Sequence, residues 1–530
     1  MAAEEDFSPS RLSNLEMGYV YEELLRRFSE DDAKDTGEHF TPREIIRIMV
    51  DLLEIDFDPA ETQEAISIYD PACGTGGMLS VAKEHLVDRA DTEEEARQVE
   101  ELVLLNGQEM LAQNYAVCKA DMIIKGETGS NITHGNSLIP DIDSVQDDGD
   151  KHAGQQFDYM LSNPPFGVDW GDYSSDVNKL SKSRYRWGTP PSDNGAFLFL
   201  QTMIEKMKPV EEGGSKITIL FNASPLSNGD ATQSESEVRR HILENDLLDT
   251  IVMLPDQMFY DTGIYTYVWL LNNKKPEYKK DKVCLIDARD QFEKESSSFG
   301  EKRHRITDEQ RKWIYNQFRN FEESKKLKLF STKDFAYHKV KVVFWQEDEN
   351  EEQMWVTEDL DVKLSTQNIK KRFELYGDLR VHVDLETPEN DFHHFDIHYE
   401  GSKGFGPVFR DLIQETFEHL EDVKVSVVKD WLDKCTIKAS FTHRHYIVDN
   451  EYIPFDLTAG DKSAYINDFL HSEINYKIIS WEEYDQLGYE ILPNLYFYEY
   501  EEPDPSEEII KDFWALEEEA EKILSQIKNL

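Results

Sequence analysis

The stretch "AISIYDPACGTGGMLSVAKEHL", residues 65–86, decides the fold. "AISIYD" is a short apolar run with β-branched residues. "PACGTGG" is a glycine turn, and the residues after it have helical spacing. A strand that runs through a tight turn into a helix is the repeating unit of a doubly wound α/β sheet. Gly74, Gly76 and Gly77 let the backbone turn sharply and approach a ligand at the carboxyl edge of that sheet. Asp70 sits at the strand end. The turn has neither the GxGxxG spacing nor the lysine of a P-loop, so a phosphate site is not expected.

The same alternation continues outward. "ELVLLNGQE", "FDYMLSNPPFG", "KITILFNAS" and "LLDTIVMLP" read as strands; "AVCKADMIIKG", "AFLFLQTMIEKM" and "VRRHILEN" read as helices. "TYVWLLNN" and "KVCLIDA" close the series, and their short link predicts an antiparallel pair. Upstream, "HFTPREIIRIMVDLLEI" predicts a helix with Thr41 as cap, Pro42 in its first turn and Ile45, Ile48, Met49 and Leu52 on one apolar face. The fold class expected is therefore a Rossmann-like doubly wound α/β sheet with an antiparallel last strand.

Two strand ends carry chemistry. Glu109 closes the strand after the glycine turn, where a carboxylate can accept both hydroxyls of a ribose; the pair points to an adenosine-type ligand. The second is "LSNPPFG", residues 161–167. Two prolines remove two backbone donors and fix two φ angles, making a stiff elbow at a strand end. The Asn163 side-chain oxygen and the Pro164 carbonyl are acceptors that can hold both protons of an exocyclic amine. Phe166 can stack on a planar base, worth roughly 1–3 kcal/mol. A rigid turn with a buried phenylalanine is the plainer reading. After the elbow, "NKLSKSRYRWGTPP" (178–191) interleaves Lys179, Lys182, Arg184 and Arg186 with Tyr185 and Trp187, which suits a DNA-facing loop or an ordinary solvated one.

Composition sets limits. The 530 residues hold 107 acidic against 57 basic side chains, a formal net charge of −50, which opposes a polyanion unless positive charge is local or supplied by a partner. A high-salt host, an acidic surface facing a basic partner and a DNA mimic all fit that balance. No apolar run spans a membrane and "MAAEEDFSPS" is no signal peptide, so a cytoplasmic chain is expected. The four scattered cysteines form no CxxC pair; neither a metal nor a disulfide framework is expected. "PSEEIIKDFWALEEEAEKILSQIKNL" repeats Ile509, Phe513, Leu516, Ala520, Ile523 and Ile527 at four-three spacing, a seam for a partner helix or for the chain's own body.

The segments "GEHFTP", "DPACGTGG" and "NPPF" together resemble N6-adenine DNA methyltransferases, and more narrowly the modification (M) subunit of type I restriction–modification systems. The resemblance covers residues 15–330 and 485–530. It implies S-adenosylmethionine held by Phe40, Thr41, Pro42, Asp70, Pro71, Ala72, Cys73, Gly74, Thr75 and Gly76, with Glu109 on the ribose and Asn136 of "HGNSL" on the adenine, where the family often has Asp. It implies catalysis by Asn163, Pro164, Pro165 and Phe166 on an adenine flipped out of double-stranded DNA. It further implies a specificity (S) subunit as partner, with a restriction subunit and a second M subunit as further members. The family's N-terminal helical domain is much longer than the 38 residues ahead of "HFTP" here. The resulting division is 1–60, a shortened helical segment; 61–330, the methyltransferase domain; 331–500, an acidic mixed α+β region; and 501–530, an assembly helix. A catalytically incompetent scaffold, and an NPP-type methyltransferase acting on RNA or protein glutamine, are the rival readings.

Overall fold

A computed structural model describes residues 41–55, 64–141 and 148–499, with gaps at 261, 300, 348, 351, 353, 360–363, 365, 377–378 and 402, and scattered positions between 506 and 522. The chain divides into two compact units. The first comprises residues up to Asn228, His241–Thr332 and Ile491 onward; the second comprises Gly229–Arg240 and Lys333–Glu490.

The first unit is built on nine strands: β1 (Ile66–Asp70), β2 (Val103–Glu109), β3 (Ile132–His134), β4 (Tyr159–Ser162), β5 (Lys216–Phe221), β6 (Leu248–Met253), β7 (Tyr267–Asn272), β8 (Lys282–Asp287) and β9 (Leu327–Ser331). They lie in the order β9-β8-β6-β7-β5-β4-β1-β2-β3. The neighbours from β3 to β5 are all parallel. One edge of the sheet therefore collects the carboxyl ends of β1, β2, β3 and β4, which places Asp70, Glu109 and the Asn163 elbow on the same side.

The expected pairing of the last two apolar strands is not what forms. β7 inserts between β5 and β6, antiparallel to both, and β8 lies beyond β6 and parallel to it. All six residues of β7 are buried. Its sequence, "YVWLLN", is apolar on both faces and so fits an interior position with layers on either side. The antiparallel edge strand is β9, paired to β8.

The helix over the sheet, α1 (Arg43–Leu53), buries Ile45, Ile46, Ile48, Met49, Val50, Leu52 and Leu53, more of its circumference than the one-sided stripe expected. It packs on α2 (Gly77–Asp88). Asp51 of α1 forms a buried ionic cluster with His85 of α2 (Nε2 to Oδ1, 2.8 Å) and with Arg311. The Asp51 carboxyl is held below its ordinary range: burial opposes this, and the His85 and Arg311 contacts outweigh it. Pro42, not Thr41, occupies the N-cap, and no side chain caps the helix.

The second unit contains two antiparallel sheets. One pairs strand Ala336–Trp345 with Tyr446–Pro454, Ile478–Glu483 and Gly488–Tyr489. The other has the order Trp355–Asp359, Thr436–Arg444, Leu379–Glu386, Phe392–Tyr399. The inner face of this second sheet, with Val381, Val383, Leu385, Phe395 and Ile397, is buried with helix Phe405–Thr416 in one apolar cluster. At the other end of the chain, Ile510, Phe513, Trp514 and Leu516 are exposed. Ile509, Ile523 and Ile527 of the expected seam lie outside the described residues, as does Phe40.

Candidate active site

The glycine turn follows directly from β1. Gly74 and Gly76 have φ of 53° and 86°. At Gly76, the residue that caps α2, a Cβ would stand 2.6 Å from Cys118 Sγ. Both the left-handed conformation and the close packing exclude a side chain there. Asp70 Oδ1 accepts from Ala72 N at 2.9 Å and from Ser162 Oγ at 2.7 Å, so the ends of β1 and β4 are tied together. Full burial raises the Asp70 carboxyl to about 7; the two hydrogen bonds oppose the rise, and the nearby Glu109 adds to it.

Glu109 grips the turn. Its Oε2 accepts from Gly74 N at 2.9 Å and its Oε1 from Leu111 N at 2.7 Å. Each oxygen retains a lone pair for a further donor. Asn136 Oδ1 accepts from Leu138 N at 2.9 Å, and Ser137 Oγ donates to Pro71 O at 2.6 Å, which fastens "HGNSL" against the glycine turn.

These groups surround a cavity of about 370 Å³, within the usual range for a small-ligand site. Thr41, Asp70, Pro71, Ala72, Cys73, Gly74, Thr75, Glu109, Asn136, Asn163 and Pro165 line it. Pro42, Gly76 and Pro164 do not. Phe166 is half-buried and packs against the main core instead of lining the cavity.

The decisive contact joins two segments 122 positions apart: Asn163 Nδ2 donates to Thr41 Oγ1 at 2.9 Å. The Thr41 hydroxyl, expected to cap α1, is used here instead. With its nitrogen so engaged, the Asn163 amide leaves Oδ1 buried and without a hydrogen-bond partner. A buried acceptor with no donor is costly, so this oxygen is suited to a donor that enters from outside the chain.

Sequence reasoning missed other lining residues. Met110 and Leu111 follow Glu109 and are about half exposed, at 51% and 46%, though both face the cavity, as do Asp169, Tyr173 and Phe199. Apolar residues left open just past a strand end were the available signal for the first two. Nothing in "GVDWGDY" marked Tyr173.

The basic patch is corrected in part. Arg184 and Tyr185 are buried. Arg184 bonds Asp150 Oδ2 at 2.6 Å and Ser137 O at 2.7 Å and pairs with Glu205; Tyr185 Oη donates to Leu138 O at 2.7 Å. A cation that answers a fully buried Asp150 cannot also face DNA. Lys206 Nζ reaches the same Asp150 oxygen at 2.8 Å. Lys179 is held by Asp176. Lys182 and Arg186 are exposed, the latter lying over the Trp187 ring at 5.1 Å, and Trp187 stacks on His241.

A carboxylate pair at parallel strand ends, a glycine turn and Asn163 and Pro165 of the elbow share one cavity. The N-6 DNA methylase family model matches residues 13–341, more than half of the chain. The chain belongs to the N-6 DNA methylase family. It is 31% identical over 312 residues to the MjaIX type I restriction enzyme methylase subunit of Methanocaldococcus jannaschii, covering 58% of this chain and 49% of that one. It is 29% identical over 274 residues to the HindI methylase subunit of Haemophilus influenzae, covering 52% and 54%. A type I methyltransferase subunit from Streptococcus thermophilus superposes with a TM-score of 0.48 at 24% identity over 60% of each chain. The chain spans about half the length of the curated relatives it matches. Among the described residues, no helix is long and apolar enough to cross a membrane.

Proposed function

We propose that this N-6 DNA methylase family member transfers a methyl group from S-adenosylmethionine to the exocyclic N6 of adenine in double-stranded DNA, as the modification subunit of a type I system. The observation that carries this is the orphaned Asn163 Oδ1, oriented by Thr41 at the edge of a cavity that also contains the glycine turn and Glu109.

The residues present suit the cofactor. Glu109 accepts from ribose hydroxyls, Met110 and Leu111 offer apolar faces to a planar ring, and Asp70 is a carboxylate for a cationic group. When bound, S-adenosylmethionine supplies a methyl group already activated by its sulfonium. Asn163 Oδ1 and the Pro164 carbonyl accept the two amine protons of the target adenine and orient its nitrogen lone pair. The exposed part of Phe166 stacks on the flipped base, whose extrusion costs a few kcal/mol. Lys182 and Arg186 are the exposed cations available to phosphates.

Recognition of a DNA sequence belongs to a specificity partner in this reading, with a restriction subunit and a second modification subunit as further members. The exposure of Ile510, Phe513, Trp514 and Leu516 supports a terminal helix that seats on a partner. A cytoplasmic location goes with this function.

The test is N6-methyladenine, read by mass spectrometry in DNA from cells expressing the chain with its neighbouring genes, beside an Asn163→Ala version. Methyladenine that disappears in the variant, with S-adenosylmethionine binding retained by the purified chain, is the expected result. Its absence in both, with partners expressed, favours the scaffold reading.

A further inference from the structure

In the second unit, far in sequence from the methylase motifs, strands Leu379–Glu386 and Phe392–Tyr399 form an antiparallel hairpin. Its inner face is the apolar one already described. On its outer face His382 stands opposite Asp396, and Asp384 opposite His394. Antiparallel pairing thus makes a square of two histidines and two aspartates with the like residues on its diagonals. Asp384, His394 and Asp396 are exposed and His382 is half-buried.

The hydrogen bonds give this square a direction. His394 Nδ1 lies 2.8 Å from Asp384 Oδ1 and can only donate to it. In the neutral ring, that leaves Nε2 as a lone pair, yet Nε2 faces Asp396 Oδ1 at 3.1 Å. His382 directs Nδ1 at the same carboxylate oxygen, while its Nε2 lies 2.8 Å from Thr442 Oγ1 on the neighbouring strand. Two imidazole nitrogens and one carboxylate oxygen therefore converge, all within 4.8 Å of one another. Each ring's other nitrogen is engaged outside, the arrangement that orients metal-ligating histidines.

Neutral imidazoles with two carboxylates carry a formal charge of −2. Either protons or a divalent cation must stand between the facing lone pairs. The cluster thus attracts positive charge, and its convergent nitrogen donors suit a borderline transition metal, not calcium or magnesium.

We propose that His382, His394 and Asp396 form a binding site for a first-row divalent transition metal of the zinc class, with Asp384 and Thr442 orienting the two rings. Three protein ligands leave at least one coordination position open. The ion ties the two strands of the hairpin together across the solvent face. Twelve positions separate the first and second histidines, and only the hairpin register brings them together, so no short spacing in the sequence marks the site.

The test is calorimetric titration of the chelator-treated full chain with ZnCl2. Expected is one equivalent bound by the native chain and lost in both His394→Ala and Asp396→Asn, two variants at exposed positions whose metal-free melting transition checks their fold. Asp384→Asn should retain the equivalent and weaken it about 10–100-fold. A large excess of MgCl2 should not displace the zinc. No zinc bound by the native chain means that protons alone balance the cluster, and that overturns the proposal. So does zinc uptake that both variants leave unchanged, which would place the ion elsewhere on the acidic surface.

Discussion

At the scale of residues, the site depends on small polar groups held by neighbours that are remote in the chain. Thr41 commits the Asn163 amide nitrogen and so decides which way its oxygen faces. Thr41→Val removes that hold without changing the side-chain volume much. Methyl transfer at saturating cofactor should fall by about 100-fold, the scale expected for a misplaced reacting group, a larger loss than any change in cofactor affinity; single-turnover rates and calorimetry separate the two. Asp70 allows a signed prediction. Its carboxyl titrates at about 7 in the folded chain against 3.8 ordinarily. Between these values the unfolded chain has released a proton that the folded chain still holds. This contribution to stability is therefore fully present below pH 4 and lost as pH rises through 7, on the order of 4 kcal/mol at most. Asp70→Asn retains the acceptor for Ala72 and Ser162 and does not titrate. Relative to the native chain, it should gain stability between pH 5 and pH 8 in urea unfolding. An unchanged difference between those pH values would contradict the burial argument.

At the scale of elements, the segment after the elbow is fixed from inside. Arg184 and Lys206 both answer the fully buried Asp150, and Tyr185 closes on Leu138. Removing one partner of a buried ion pair costs roughly 3–5 kcal/mol when the other charge is left unanswered; without Arg184, Lys206 still answers Asp150, so that figure is the ceiling. Arg184→Ala should therefore lower stability by less than that amount in urea unfolding, and Arg184→Ala with Lys206→Ala by more than either alone, whereas Lys182→Ala, at an exposed position, should leave stability unchanged and weaken DNA binding uniformly across sequences. The sequence showed six basic and aromatic side chains in one loop; it could not show which were turned inward. Charge and aromaticity were visible, but the buried Asp150 that claims Arg184 lies 34 positions away. The position of β7 was hidden in the same way, since a short link suggests a hairpin and only the demand for burial on both faces sends the strand to the far side of β6.

At the scale of the whole molecule, a net charge of −50 repels itself. Screening by salt should relieve that repulsion. The melting temperature should rise when KCl is increased from 0.1 M to 2 M; a chain that melts at the same temperature in dilute buffer would weaken the high-salt reading of its acidity. The same field opposes DNA, so a partner with a basic surface should strengthen DNA binding more at low salt than at high.

What the sequence by itself determined was everything carried by local chemistry. The alternation of strand and helix, the glycine turn, Glu109 at a strand end and the NPPF elbow were legible because each is a short segment whose backbone and side-chain demands are written in adjacent residues. Only the tertiary structure decided which groups meet. Thr41 found Asn163 instead of its own helix, Asp150 drew Arg184 out of solvent, and His382 met Asp396 through a hairpin register. Each of these pairings is set by packing of segments distant in the chain, where burial makes an unanswered polar group expensive.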